Sequence, residues 1–142
     1  EIGIFQPRSD ENIGTLWRSA WQLGAAGIFI IGKKQRKQTS DVLYVSYKIP
    51  FRQYETIEDF LNSRPKQAQL IGIEIGGTPL RTFIHPECAV YLLGSEANGL
   101  SKQVLSQCNQ VVEIESVRYA SFNVAVSGSI VMYHRCSALG FS

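Results

Sequence analysis

Hydrophobic residues recur with two different periods along the first thirty positions. Residues 1–5 alternate polar and apolar until Gln6-Pro7 breaks the pattern, which predicts a short strand. The apolar positions that follow are spaced for one face of a helix, with Ser9 and Asp10 as good N-cap residues. The face consists of Ile13, Leu16, Trp17, Ala20 and Gly24. A continuous apolar run over 28–31 is typical of a buried parallel strand, so the segment predicts a βαβ unit.

The same alternation of strands and helices continues through the rest of the chain. Strands are predicted over 69–75, 89–93 and 111–114, and helices over 56–63, 101–108 and 121–137. The glycines and proline of 76–79 are expected to end the first of these strands. Segment 44–54 stays ambiguous, because Pro50 argues against a long regular element. The prediction is an α/β fold with a mostly parallel sheet flanked by helices.

Composition narrows the class of protein. The chain has 142 residues, 44% hydrophobic and 18% charged, and shows no repeat or linker, so one domain spanning 1–142 is expected. No apolar run approaches the roughly 18 residues of a membrane span, and no signal-peptide pattern is visible. The three cysteines are scattered without a CxxC pair, which favours reduced thiols and a cytoplasmic location.

Basic residues cluster in the loop predicted after the second strand. The net charge of +2 is too small by itself to indicate a nucleic-acid-binding protein. The cluster is Lys33, Lys34, Arg36 and Lys37, with Arg8 and Arg52 as possible additions. Such a run is either a solvated loop or a contact for phosphates.

Asn12 and Arg18 lie six positions apart at the start of the first predicted helix. This helix begins near the rim formed by the carboxyl ends of the strands, where open α/β sheets bind ligands. An arginine there can hold a phosphate in a fork of N–H groups. The alternative is an exposed arginine paired with an acid such as Glu11.

A turn with a glycine near each end follows the strand predicted over 89–93. Its sequence is Gly94-Ser95-Glu96-Ala97-Asn98-Gly99-Leu100. A glycine at a strand end lets a ligand approach the backbone, and Glu96 could orient a polar group or cap the next helix. The turn lacks the residues of a Walker A loop and the spacing of a dinucleotide fingerprint. A purely structural turn is the alternative.

The third segment is Ser121-Phe122-Asn123, at the start of the last predicted helix. Ser121 is a natural N-cap, and the free N–H groups of a helix start suit a polar or anionic ligand. The small residues that follow favour close packing against another backbone. Asn123 is indifferent for the first turn of a helix, so helix formation alone does not explain it.

The three segments together resemble, in order and content, the motifs of the SpoU/TrmH family of RNA 2′-O-ribose methyltransferases within the SPOUT superfamily. Asn12 and Arg18 match the first motif, the Gly94–Leu100 turn the second, and Ser121-Phe122-Asn123 the third. The resemblance covers about Ile2 to Arg135 and is closest to the minimal, single-domain type. It implies a SPOUT fold with a C-terminal trefoil knot, which periodicity cannot show.

The resemblance also implies a cofactor and partners. S-adenosylmethionine would bind in the knot and leave as S-adenosylhomocysteine. By position, the pocket would be formed by Ile73, Glu74, Gly94, Ile114 and Ser121. Members work as homodimers, in which the catalytic arginine can face the donor bound by the other subunit. The RNA would be tRNA in a small member such as this, with rRNA as an alternative, and no metal is implied.

The implied reaction transfers the methyl group to a ribose 2′-hydroxyl. Arg18 would position the neighbouring phosphate and stabilise charge, because a guanidinium stays protonated and is a poor base. Asn12, Glu96 and Asn123 would orient Arg18 and the ribose. Two other interpretations remain open: a non-catalytic RNA-binding module of the same fold, and an unrelated nucleotide-binding enzyme.

One position departs from the family's pattern. Many relatives have a proline after the isoleucine that precedes the third motif, whereas this chain has Glu115. Since glutamate is rarely buried without a partner, Glu115 is expected to point to solvent.

Overall fold

A computed structural model describes residues 1–32, 48–118 and 120–141. Its strands are β1 (Ile2–Phe5), β2 (Ile28–Ile31), β3 (Phe51–Tyr54), β4 (Gln69–Pro79), β5 (Ala89–Leu93) and β6 (Gln110–Glu113). Its helices are α1 (Asp10–Gln22), α2 (Ile57–Ser63), α3 (Lys102–Ser106) and α4 (Val124–Leu139), with a short 3₁₀ helix at Leu80–Thr82.

The described strands form one sheet in the order β3-β2-β1-β5-β4-β6, and every neighbouring pair is parallel. The predicted α/β class with a mostly parallel sheet is therefore confirmed. Because the strands run the same way, the loops after them meet at one edge of the sheet. The trefoil knot stays a prediction. No helix within the described ranges is long and apolar enough to cross a membrane.

Helices α1 and α4 pack together on one face of the sheet. The side chain of Ser9 caps α1 by accepting a hydrogen bond from the Asn12 N–H group, as predicted. The apolar face of the helix is buried at Ile13, Leu16, Trp17 and Ala20. The small residues of α4 allow close contact: a Cβ added to Gly128 would lie 2.4 Å from the Leu16 side chain. This packing sets both helix starts at the carboxyl edge of the sheet.

Two predicted boundaries were wrong. The glycines of 76–79 do not end β4, because the strand passes through a bulge there and resumes its pairing with β6 at Thr78 and Pro79. Gly77 permits this, since a Cβ there would lie 2.5 Å from the Val111 carbonyl oxygen. The last helix begins at Val124, so its N-cap is Asn123 and not Ser121.

Candidate functional site

A cavity of about 920 Å³ opens at the carboxyl edge of the sheet. Its walls come from the loops that follow β5 and β6, from the bulge of β4 and from the start of α4. All five residues predicted to bind the cofactor line it: Ile73, Glu74, Gly94, Ile114 and Ser121. Drug-sized ligands occupy clefts of roughly 300–1,000 Å³, so the cavity is large enough for a nucleoside-containing molecule.

The loop over 94–100 forms the tightest wall of this cavity. It closes on itself through the Gly99 N–H group, which donates to the Ser95 carbonyl oxygen at 3.0 Å, and the Asn98 N–H group, which donates to Ser95 Oγ at 3.1 Å. A Cβ on Gly94 would lie 2.3 Å from the Gly99 carbonyl carbon. Gly99 itself has a φ of +61°, which disfavours other residues. Both glycines of the second motif are therefore required by the loop's shape.

Side chains from the three motifs join at the mouth of the cavity. Asn123 Nδ2 donates to Asn12 Oδ1 at 3.0 Å, and Asn12 Nδ2 donates to Glu96 Oε1 at 2.9 Å. The second oxygen of Glu96 accepts from the Arg8 backbone N–H group at 3.1 Å. The partners in each of these three hydrogen bonds are 84 to 111 positions apart in the chain, so only the tertiary fold brings them together.

The capping of α4 fixes the direction of this hydrogen-bond chain. Asn123 Oδ1 accepts from the backbone N–H groups of Ala125 and Val126, at 2.9 Å and 3.2 Å. The amide nitrogen of Asn123 is consequently turned towards Asn12, whose own nitrogen then faces the carboxylate. Asn123 is thus both a helix cap and a member of the site, which explains why helix propensity alone did not account for it.

Glu96 is held as a carboxylate. Partial burial raises its pKa, but the hydrogen bonds from the Asn12 side chain and from backbone N–H groups, including that of Arg8, outweigh this and leave the pKa below its usual value. The site therefore presents a charged, oriented acceptor at neutral pH.

Arg18 takes no part in the hydrogen bonds that link Asn123, Asn12 and Glu96. Its side chain is exposed on α1, about 9 Å along the helix axis from Asn12 at 1.5 Å per residue, and does not line the cavity. It makes no hydrogen bond or ion pair with the residues that the structure describes. The alternative interpretation, an ion pair with Glu11, is accordingly not seen within those residues.

The predicted RNA-binding residues are only partly described. Lys33, Lys34, Arg36 and Lys37 lie outside the described residues. Arg8 is exposed beside the Asn12–Glu96 pair. Arg52 forms an ion pair with Glu1, which makes it a poor candidate for phosphate binding. In the described ranges, no three histidine, cysteine or acidic side chains converge as a metal site would require.

Two acidic residues, Glu113 and Glu115, line the cavity although the sequence analysis placed neither of them there. Glu115 was expected to point to solvent, but it lies on the wall and pairs with Arg81, with 3.0 Å between Oε2 and Nε. Glu113 was not singled out. It also lines the cavity, and its Oε1 accepts from the Gly76 N–H group at 2.6 Å. Its position at the end of β6 is the signal that could have identified it.

Comparison with known proteins identifies the family of this chain. The sequence model of the SpoU rRNA Methylase family matches residues 1–133. This chain belongs to the SpoU rRNA Methylase family. Among curated SpoU relatives, an uncharacterized tRNA/rRNA methyltransferase of Mycobacterium bovis is 27% identical over 128 residues, which cover 85% of this chain and 40% of that protein. One of Archaeoglobus fulgidus is 28% identical, covering 86% of this chain and 57% of that protein.

Solved structures show the same SpoU fold. An AdoMet-bound rRNA methyltransferase from Sinorhizobium meliloti aligns with a TM-score of 0.83 at 23% identity, covering 97% of this chain and 56% of that one. A structure concerning 2-OH methylation of C/U34 on tRNA aligns with a TM-score of 0.85 at 23% identity, covering 97% and 94%. The chain thus spans about 40% of the mycobacterial relative and nearly all of this last structure.

Proposed function

We propose that this SpoU-family chain is an S-adenosylmethionine-dependent methyltransferase that modifies a ribose 2′-hydroxyl of tRNA. The observation that carries the proposal is the hydrogen-bonded chain Asn123–Asn12–Glu96 at the mouth of a large cavity. It joins all three motifs at one point. The descriptions of the relatives, which name tRNA and rRNA methyltransferases and 2-OH methylation, support the reaction class.

The cavity fits the methyl donor in size and in the character of its walls. Gly94 lets the 94–100 loop fold tightly along the cavity wall, and Ile73 and Ile114 offer apolar surface for a purine or ribose. Glu74 and Ser121 complete the proposed binding set. The sulfonium of S-adenosylmethionine supplies an activated methyl group when the donor is bound.

The residues at the mouth would act on the acceptor. A ribose hydroxyl is a poor nucleophile and has to lose its proton as it attacks. The carboxylate of Glu96 holds Asn12, and Asn12 in turn orients the ribose by its amide. Arg18 binds the neighbouring phosphate and stabilises charge, a role that suits a permanently protonated guanidinium.

A homodimer would complete this site. Arg18 lies away from its own cavity, so a donor bound by a second copy is the group it would face. Helix α4 offers a surface for such pairing: Val126 and Tyr133, 45% and 58% exposed, lie seven positions apart on one face, and Phe122, 39% exposed, lies just before the helix. Phe141 packs against Tyr133 at 5.5 Å between ring centroids and extends this surface. Light scattering should give twice the protomer mass, and Val126→Asp should yield monomers; a monomeric wild type would remove the dimer.

Methyl transfer from labelled S-adenosylmethionine to bulk tRNA, and separately to rRNA, tests the activity. After nuclease digestion, we expect the label in a 2′-O-methylnucleotide of tRNA. Label in rRNA would move the substrate to the alternative class, and label in a base would contradict the ribose assignment. RNA binding without donor binding would favour a non-catalytic module. The proposal includes RNA binding by the basic residues Lys33, Lys34, Arg36 and Lys37. It also includes a cytoplasmic location and a single domain over 1–142.

A further inference from the structure

The Glu74 carboxylate, on the cavity wall, is bonded to two backbone N–H groups. It follows Ile73, the last residue of β4 paired with β5, and so stands beside the start of the 94–100 loop. Its Oε2 accepts from the Leu100 N–H group at 2.8 Å, and its Oε1 accepts from the Ile75 N–H group at 2.9 Å. Both carboxylate oxygens are therefore already bound by backbone groups.

The bond to Leu100 lies where the loop returns to the core. Leu100 is 6% exposed and packs with Leu70, Leu92 and Val104. The hydrogen bonds within the loop link Ser95 to Asn98 and Gly99, but they do not attach the loop to a neighbouring strand. Glu74 supplies that attachment with a charged acceptor, which makes a stronger hydrogen bond than a neutral one.

Gly99 shows how closely the carboxylate is seated. A Cβ added there would lie 2.3 Å from Glu74 Oε2, so no other residue leaves room for the contact. The glycine of the second motif is consequently needed for the Glu74 contact as well as for its positive φ.

We propose that Glu74 is a positioning residue that holds the 94–100 loop in the shape that binds the methyl donor. Glu74 therefore belongs to the proposed binding set through the loop that it holds by the Leu100 N–H group, since backbone groups already occupy both of its carboxylate oxygens. The inference rests on the proposed function, because it takes the cavity as the donor site.

Two substitutions remove the contact between Glu74 and Leu100 in different ways. Glu74→Asp keeps the charge but is one methylene too short to reach Leu100, whereas Glu74→Gln keeps the length and sets an amide N–H₂ against one of the two backbone N–H groups. We expect both to raise the Kd of S-adenosylmethionine about tenfold by calorimetry, the factor that corresponds to loss of one charge-assisted hydrogen bond. The maximal rate at saturating donor should fall less than the affinity does.

Glu58→Gln is the control. It makes the same change from carboxylate to amide at an exposed position of α2 that does not line the cavity. Its donor Kd should change about twofold or less, in the range of substitutions that break no key contact. Circular dichroism and thermal unfolding confirm that each variant is folded.

Hydrogen exchange of the Leu100 amide in the free protein gives an independent readout. Exchange should be faster in both Glu74 variants and unchanged in Glu58→Gln. Wild-type-like donor affinity in Glu74→Asp, or unchanged Leu100 protection in both variants, would overturn the proposal. If wild-type protein fails to bind S-adenosylmethionine, the donor site itself is wrong, while the exchange measurement still decides whether Glu74 holds the loop. In Gly99→Ala, the added Cβ should push the Glu74 carboxylate away from the Leu100 N–H group. This variant should therefore also show faster exchange of the Leu100 amide.

Discussion

The two ends of α4 carry two polar clusters with opposite characters. At its start, Asn123 joins Asn12 and Glu96 at the mouth of the cavity. About 16 Å further along the helix, at 1.5 Å per residue, His134 and Arg135 join a second cluster around His85 and Tyr91. Both clusters link residues distant in sequence, so long-range hydrogen bonding does not by itself mark a functional site.

The second cluster is closed. Arg135 donates to the carbonyl oxygens of Pro86 and Glu87 at 2.7 Å and 2.6 Å, and to the Tyr91 hydroxyl at 3.1 Å. The Tyr91 hydroxyl is then free to donate to His85 Nδ1 at 2.7 Å, and the Nε2–H group of His85 to donate to His134 Nδ1 at 2.7 Å. Both ring nitrogens of His85 therefore have a protein partner.

Burial has different consequences in the two clusters. Burial, with further contributions from His134 and Arg135, lowers the pKa of His85 to about 4 and keeps it neutral. Glu96 stays charged beside an open cavity, and Arg18 has no partner among the described residues. A charged carboxylate beside a cavity, such as that of Glu96, therefore indicates function, whereas the bonded ring of His85 and guanidinium of Arg135 indicate cross-linking of α4 to the loop before β5.

The largest effect should come from Arg18. We expect Arg18→Ala to lower the maximal rate of methyl transfer about 10²–10³-fold, the usual loss when one electrostatic contact to a transition state is removed. Donor affinity should remain close to wild type, because Arg18 does not line its own cavity. Single-turnover kinetics and calorimetry measure the two quantities. Equal activity in the variant would remove Arg18 from the mechanism.

Asn123 allows its two roles to be separated. Asn123→Asp keeps an oxygen for the N–H groups of Ala125 and Val126 but loses the donor to Asn12, so we expect about a tenfold lower rate with the melting temperature nearly unchanged. Asn123→Ala should also lower the free energy of unfolding by about 1 kcal/mol through the lost cap. If the Asp variant were fully active, the bond between the two asparagines would have only a structural role.

The His85 cluster should affect stability and leave catalysis intact. The pKa of His85 lies near 4 in the folded protein and at 6.5 when unperturbed, so the unfolded state binds more protons between these values. Its contribution to stability is fully present above pH 6.5 and is lost as the pH falls towards 4. Thermal unfolding across this range should show a steeper loss for wild type than for His85→Asn. A large change in methyl transfer at pH 7.5, in protein that stays folded, would contradict the assignment.

The smallest effect is expected from the Arg81–Glu115 pair. Arg81 is 79% exposed, and exposed ion pairs contribute about 0–1 kcal/mol. Arg81→Gln should therefore change the donor Kd by about twofold or less. A tenfold change would mean that Glu115, released from Arg81, alters the donor pocket directly.

Periodicity and caps predicted much of the fold. The buried run of β2 and the apolar face of α1 are local patterns that the parallel sheet confirms. The bulge in β4 could not be predicted, because the pairing of Thr78 and Pro79 with β6 depends on a strand more than thirty residues later. Strand β3 follows Pro50 and is recognisable only from its pairing with β2.

The sequence predicted individual residues of the site but not the hydrogen bonds between them. Family resemblance supplied Asn12, Glu96 and Asn123, and the structure brings them into contact. The contact of Glu74 with Leu100 left no sequence signal, since it joins a strand to a loop through a backbone N–H group. The bond between His85 and His134 spans 49 positions and has no motif at all.

We propose that the cavity at the carboxyl edge of the sheet binds the methyl donor. Titration of S-adenosylmethionine into isotope-labelled protein, followed through its backbone amide resonances, tests this assignment. We expect saturable shifts centred on the 94–100 loop and on the segment from Ile114 to Asn123, with the amides around His85 and His134 unchanged. Shifts centred on the His85 cluster, or no saturable change at millimolar donor, would contradict it.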